Sequence, residues 1–306
     1  MRLSVIICTH NPRSEFLART LEALTRQETA RDQWELILID NASKDPLAGR
    51  IDLGWHPHGR HVREDELGIA AARIRGMREA RTDLILFVDD DNLLAPDYIE
   101  RGLEIADQRP DLGVWGGQLV PEFETPPEEW TKRWWSYLAI RPLDHDLVAR
   151  GPRDYDAIPP TAGEFIRRPV WERYLQVVAA DSRHLMLGLR GGRRISGQDT
   201  DIALCTFDLS LGAARFARLV LTHIMPASRL AEPALANLVE SIAFSTVILE
   251  GLRHRPPTAA AANRLSYWRA CVRAWRLPPR TRRFCLAELR GRRRAALQLS
   301  HVSSAA

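Results

Sequence analysis

Three apolar runs, each ending in a polar cluster and each followed by a helix-spaced segment, constrain this chain more than any other feature. Leu3-Ser4-Val5-Ile6-Ile7-Cys8 leads into Thr9-His10-Asn11-Pro12, Trp34-Glu35-Leu36-Ile37-Leu38-Ile39 into Asp40-Asn41, and Leu84-Ile85-Leu86-Phe87-Val88 into Asp89-Asp90-Asp91-Asn92. Runs this apolar, with no in–out alternation, read as strands buried on both faces. Between them Phe16, Leu17, Thr20, Leu21 and Leu24 recur at helical spacing, as do Ile69, Ala72, Ile74 and Met77 after Gly68. Pro96 opens another helix, with Asp97 and Glu100 near its positive end. The alternation predicts an α/β fold with a mainly parallel sheet covered by helices. In such sheets ligands bind at the carboxyl ends of the strands, and all three polar clusters fall there.

The second half repeats the pattern less regularly. Val114-Trp115-Gly116-Gly117 reads as strand and turn, followed by a proline-broken stretch holding Trp130, Trp134, Trp135 and Tyr137. Phe165-Ile166 reads as a strand, residues 170–175 as a helix, Gly191-Gly192 as a loop, and a further helix opens near Gln198-Asp199. Residues 216–221 form a late strand ending at Thr222-His223. Beyond Pro233 only helices are predicted, broken at Pro256-Pro257 and Pro278-Pro279.

Composition narrows the class. The chain has 306 residues, 45% apolar and 27% charged, which suits one large core and excludes disordered or fibrous classes. Cys8, Cys205, Cys271 and Cys285 stand far apart with no Cys-x-x-Cys pair. Neither a disulfide framework nor a structural zinc site is expected, and a reducing compartment suits the chain. The first apolar run is too short for a signal-peptide core, and no stretch of about eighteen apolar residues occurs. A cytoplasmic location without a spanning helix is therefore expected. The net charge is +4, yet residues 251–306 carry thirteen arginines and one acid, Glu288, which leaves the body acidic. A basic tail on an acidic body points to an anionic partner.

Five clusters carry candidate chemistry. Three adjacent carboxylates, Asp89, Asp90 and Asp91, repel one another unless a cation or hydrogen-bond donors neutralise them, and Mg²⁺ or Mn²⁺ takes one or two carboxylates with phosphate oxygens. At the end of a buried strand, that reading outweighs a solvated acidic turn. Asp40 ends the second strand and can accept a hydrogen bond from a base or ribose; helix or loop capping is the plainer alternative. Arg73 follows a run of small residues that lets its helix approach closely, and its planar guanidinium suits a diphosphate; an exposed arginine, as expected for Arg75, is the commoner fate. Asp199 and Asp201 open a helix after Gln198, either as charges at the helix N-terminus or as a general base. His223 ends a strand and can bind a metal through neutral imidazole or touch a phosphate, although a lone histidine is more often a satisfied polar residue.

Taken in order and spacing, Ser4 to Asn11, Ile37 to Ser43, Gly68 to Arg73 and Phe87-Val88-Asp89-Asp90-Asp91 resemble the family-2 glycosyltransferases of GT-A fold. The resemblance covers roughly residues 1–230. It implies a GT-A-like catalytic domain over 1–230, with a nucleotide-sugar half at 1–120 and an acceptor half at 121–230. Residues 231–306 would be a basic helical C-terminal extension. It also implies inverting transfer of a sugar from a nucleotide diphosphate donor, UDP-sugar favoured, to a hydroxyl on a glycan, a lipid-linked sugar or a related acceptor. By that analogy Thr9, His10, Asn11 and Asp40 hold base and ribose, with Asp40 on the uracil-type edge. Arg73 lies near the diphosphate. Asp89 and Asp90 count with the donor residues. Asp91 binds Mg²⁺ or Mn²⁺ directly, with Asp89 and His223 as further metal-side residues. The family's acidic pair at the base position reads Gln198-Asp199 here, so Asp199 is the expected catalytic base and Asp201 the fallback. Ser228-Arg229 resembles an element that closes over metal and diphosphate.

On the acceptor side, Trp134 is a candidate stacking residue, and Thr161 to Phe165, with Glu164, would border the cleft; Asp201 is counted there too. Trp130, Trp134 and Tyr137 also recur at helical intervals, which favours ordinary packing. In residues 264–276, Leu265, Trp268, Cys271, Val272 and Trp275 share one helical face with Arg269, Arg273 and Arg276 outside it. Such a helix either lies peripherally on an anionic membrane or packs on the catalytic domain. No nucleic-acid motif accompanies the charge. Two other functions compete. A sugar-phosphate nucleotidyltransferase would want a glycine-rich basic loop after the first strand, which Cys8-Thr9-His10-Asn11-Pro12 lacks. A non-catalytic nucleotide-binding regulator is the reading that Gln198 leaves open.

Overall fold

Alternate residues of the apolar runs supply two cores, which is what strands covered on both faces require. In the computed structural model, which describes residues 1–188, 197–253 and 264–303, the runs become β1 (Leu3–Thr9), β2 (Trp34–Asn41) and β4 (Leu84–Val88). Ile6, Ile37, Ile85 and Phe87 pack on one face with Ala72, Val170 and Ile202. Val5, Ile7, Leu36 and Leu38 pack on the other with Leu17, Ile99 and Leu103. The covering helices are α1 (Ser14–Thr25), α2 (Ile69–Glu79) and α3 (Tyr98–Gln108), then α4 (Arg168–Ala180) and α5 (Gln198–Asp208). Close approach of α2 to the sheet occurs at Gly76, past the small run before Arg73: a Cβ there would stand 2.6 Å from Ile6 Cγ2.

Among the described residues nine strands form one sheet in the order β3-β2-β1-β4-β8-β6-β9-β5, with β7 beside β9. Here β3 is Gly59–Glu64, β5 Asn92–Leu94, β6 Leu112–Phe123, β7 Leu147–Ala149, β8 Glu164–Arg167 and β9 Gly212–Met225. From β3 to β4 the sheet is parallel, as expected. Beyond β4 it becomes mixed: β8 runs antiparallel to β4 and β6, β5 and β7 antiparallel to β9, and β6 parallel to β9. The chain enters β8 from β7 through residues 150–163, with no α-helical crossover to hold that strand parallel. Phe165 at the centre of β8 stacks between Tyr98 and Trp115, with ring centroids 5.8 and 5.5 Å away.

The described residues beyond β9 are mainly helical. The short α6 (Ala227–Leu230) leads into α7 (Glu232–Leu252), and helices Arg264–Ala274 and Pro279–Ser303 follow. By length and mean hydropathy α7 could cross a membrane, although it is no unbroken apolar run, with Asn237, Glu240 and Ser241 inside it. Its apolar residues Leu235, Val239, Phe244 and Ile248 are nevertheless buried within the molecule. The aromatic stretch forms a 3₁₀ helix, Glu129–Leu138, whose Trp134 stacks on Phe284 of the C-terminal helix at 3.9 Å between centroids. That contact is the packing its spacing favoured. The amphipathic face of the Arg264–Ala274 helix is split: Cys271 is buried with Ala274, whereas Trp268, Val272 and Trp275 are exposed. The predicted Gly191-Gly192 loop, Ser196 and Pro256-Pro257 lie outside the described residues.

Candidate active site

The carboxyl ends of β1 and β2 are tied together by their own polar side chains. His10 donates from Nδ1 to the Asn41 carbonyl at 2.7 Å and accepts at Nε2 from Asn11 at 2.8 Å. Asn11 in turn accepts from the Lys44 amide at 2.9 Å, and its own amide donates to Ser43 Oγ at 2.9 Å. Asn41 accepts from the Gly68 amide at 2.8 Å, which fixes the start of α2. Asp40 is consumed within this network. Its carboxylate accepts from the amides of Ser43 and Leu47, each at 3.1 Å, and from Arg63 at 2.8 Å. Burial raises the Asp40 pKa, but these donors outweigh it and hold the carboxylate below its usual range. The plainer capping reading describes Asp40 as it stands.

Opposite lies the start of α5. Gly197 adopts φ +113°, a left-handed turn that residues with a Cβ rarely take, and so turns the chain into the helix. Asp199 follows in the first helical turn, where the helix dipole favours a negative charge. The buried Gln198 accepts from Arg73 Nη1 at 3.3 Å and donates to the Tyr174 hydroxyl at 3.1 Å. Arg73, only 12% exposed, thus bridges α2 and α5, with its other nitrogen 4.0 Å from Asp89. A glutamine where the resemblance expects an acid leaves the Arg73 charge available to a ligand, because the amide binds it without neutralising it.

The third wall comes from β9 and α6. His223 pairs with Asn92 across the β5–β9 ladder. Its Nε2 is 3.4 Å from Asp91 Oδ2 and 3.2 Å from Arg229 Nη1, while its buried Nδ1 has no partner. Thr9 donates to Asp90. Withdrawal from water pushes the Asp89 carboxyl up against the pull of Arg73, and burial takes Asp90 to about 6. Burial acts on Asp91 too, but the His223 contact prevails and holds it low. Among the described residues no set of three or more His, Cys, Asp or Glu is gathered for a metal. A hard cation that shares its shell with phosphate and water needs only one or two protein carboxylates. Asp91 and Asp89 are carboxylates of the kind that could meet that smaller requirement, with the partnerless Nδ1 of His223 on the ring beside Asp91.

These walls enclose one cavity of about 890 Å³. Of the sequence-predicted residues, Thr9, His10, Arg73, Asp89, Asp199 and His223 line it. Asp90, Asp91 and Asn11 stand one contact behind, through Thr9, His223 and His10. Asp40 lies further back, and Trp134 is outside the lining, packed on Phe284. Asp201, the fallback base, is fully buried, hydrogen-bonded to His184 Nδ1 at 2.6 Å and ion-paired with Arg253 at 2.8 Å, and does not reach the cavity. Glu164 is wholly buried, and neither carboxylate oxygen has a hydrogen-bond partner. Burial raises its pKa well above the ordinary value, the Asp199 charge adding to the effect and Arg73 opposing it. Sequence reasoning missed Asn237 and Ser241 of α7, which line the far end. Their signal is two polar residues one turn apart in an apolar helix.

Residues 4–165 match the model of the family described as glycosyl transferase family 2. The chain is similar to a glucosyl-dolichyl phosphate glucuronosyltransferase of Haloferax volcanii, 27% identical over 130 residues, covering 40% of each chain. It also resembles a validoxylamine A glucosyltransferase of Streptomyces hygroscopicus subsp. jinggangensis, 33% identical over 149 residues, covering 43% of this chain and 35% of that one. The matches thus span little more than a third of these curated relatives. In fold, the chain is similar to residues 1–349 of S. aureus TarS, solved in complex with UDP-GlcNAc, with TM-score 0.53 and 11% identity over 99% of this chain and 92% of that one.

Proposed function

The chain belongs to glycosyl transferase family 2, and we propose that it transfers a glycosyl unit from a nucleoside diphosphate sugar, UDP-sugar first, to a hydroxyl acceptor with inversion. The observation that carries this reading is the single cavity lined by Arg73, Asp89, Asp199 and His223. Arg73 and Arg229 would hold the diphosphate as charge develops on it. Asp199 would accept the acceptor proton while the hydroxyl oxygen attacks the anomeric carbon and the bond to the diphosphate oxygen breaks. One displacement then inverts the anomeric centre without a covalent glycosyl intermediate. Asp91, with Asp89 and His223, would hold a divalent cation, Mg²⁺ or Mn²⁺, whose contribution when bound is to neutralise the departing diphosphate.

In this reading residues 1–120 supply the donor half and 121–230 the acceptor half, while α7 extends the acceptor end through Asn237 and Ser241. Asp40 would act on the base pocket indirectly, by fixing the loop that holds Asn11 and His10. The glucosyl and glucuronosyl donors implied by the relatives' names belong first in the donor panel. Incubation with a panel of nucleotide sugars separates the candidate activities. A transferase releases nucleoside diphosphate, more of it when an acceptor is added. A nucleotidyltransferase leaves the nucleotide sugars intact and forms pyrophosphate only from a nucleoside triphosphate and a sugar 1-phosphate, and a regulator does neither; either result would overturn the proposal.

A further inference from the structure

The Arg264–Ala274 helix carries three stripes, and only one of them faces the molecule. Cys271 and Ala274 are buried, and Tyr267 lies under Arg293 of the C-terminal helix, 4.3 Å from guanidinium carbon to ring centroid. One stripe round, Trp268 and Val272, with Trp275 just past the helix end, are 55%, 59% and 64% exposed. They follow one another at helical intervals of four and three residues, so they form a continuous apolar edge. Arg269, Arg273 and Arg276 each come one residue later, about 100° further round, and all are exposed.

The charge of that third stripe is uncompensated. Arginines of the C-terminal helix are paired at home: Arg280 and Arg283 with Glu232, Arg290 and Arg294 with Glu240, and Arg292 with Glu288. Among the described residues no carboxylate pairs with Arg269, Arg273 or Arg276. Residues 264–287 contain no acid at all. Arg282 also stands over the Trp275 ring, 4.6 Å from its centroid, which adds a further cation at the apolar edge.

We propose that this face, Trp268, Val272 and Trp275 with Arg269, Arg273 and Arg276, docks the protein on an anionic phospholipid surface. The two halves of the surface match the two layers of a lipid interface. The two tryptophans and Val272 settle at headgroup depth, and flexible arginines reach to lipid phosphates. Eleven helical residues span only about 16 Å, so the helix lies along the surface and does not cross it. A protein partner would have to offer an acidic, apolar groove. A nucleic acid would use the arginines and leave Val272 unburied. The inference is independent of the transfer reading.

The test uses the full chain and vesicles of phosphatidylcholine alone or with about 30% phosphatidylglycerol, followed by flotation. The wild type should partition onto the anionic vesicles only, and about 0.5 M salt should release most of it. Replacing Arg269, Arg273 and Arg276 together by Gln should lower the partition constant about 100-fold, at about 1 kcal/mol for each arginine near the surface. Trp268→Ser with Trp275→Ser should lower it about tenfold or more. Thermal unfolding of each variant should match the wild type, because the altered side chains are exposed; Trp268→Ser alone is the second variant should the pair misfold. Equal partition onto neutral and anionic vesicles, or unchanged partition of both variants, overturns the proposal. So does dimerisation lost in the tryptophan variant without any vesicle binding, or RNA binding lost in the arginine variant.

Discussion

Glu164 offers a prediction in which sign and size both follow from the structure. Its side chain is 0% exposed, and both carboxylate oxygens lack partners. Burial therefore holds the carboxyl neutral well above its ordinary pKa of 4.5, with the nearby Asp199 charge reinforcing the effect. Above that ordinary value the unfolded chain gives up the Glu164 proton and the folded chain keeps it. The folded state then binds more protons, so its stability falls as pH rises until the folded carboxyl itself ionises. The limiting slope for one group is about 1.4 kcal/mol per pH unit. Glu164→Gln keeps shape and polarity without the ionisation. The variant should match the wild type near pH 4.5 and become progressively more stable relative to it toward pH 7, the gap opening no faster than about 1.4 kcal/mol per pH unit. Urea unfolding of both proteins at half-unit pH intervals measures the difference. Parallel stability curves across that range would show that Glu164 has an ionised, partnered state, and the argument from its burial would be wrong.

Other residues carry shorter predictions. Arg73→Ala removes a guanidinium held between Gln198 and Asp89; UDP affinity measured by calorimetry should fall about 10- to 100-fold, as expected for lost charged hydrogen bonds. Asp91→Ala should lower transfer by about 100-fold or more and abolish any stimulation by Mg²⁺ or Mn²⁺ in a metal titration. Asp201→Ala leaves Arg253 and His184 without their buried carboxylate. It should cost about 3–5 kcal/mol in urea unfolding while the turnover of the molecules still folded is kept, a split opposite to that of a catalytic base.

What the sequence revealed depended on how much burial each segment carries. β1, β2 and β4 were legible because all but one of their residues are buried. β3 was missed because it is an edge strand, polar and half-exposed at most positions, and β5 because three residues give no period. The antiparallel turn at β8 depends on a connection whose path no local pattern encodes. At the site, strand-end position correctly drew Thr9, His10, Asp89 and His223 to one cavity, since a parallel sheet brings such ends together. It could not reveal which carboxylates are already spent. Asp40 looks like a ligand group in sequence, yet three donors from its own loop and from Arg63 occupy it. Asn237 and Ser241 were hidden in a helix read only for its apolar content. Trp134 was drawn both ways, and Phe284, 150 residues on, decides for packing.

The most direct test compares wild type with Asp199→Asn, following donor binding by calorimetry and diphosphate release in the presence of acceptor. If the cavity brings donor, acceptor and base together, the variant binds the nucleotide sugar within about threefold of the wild type while turnover falls about 10²- to 10⁴-fold. Turnover preserved in Asp199→Asn, or donor binding lost along with it, would contradict a base standing across the cavity from the diphosphate.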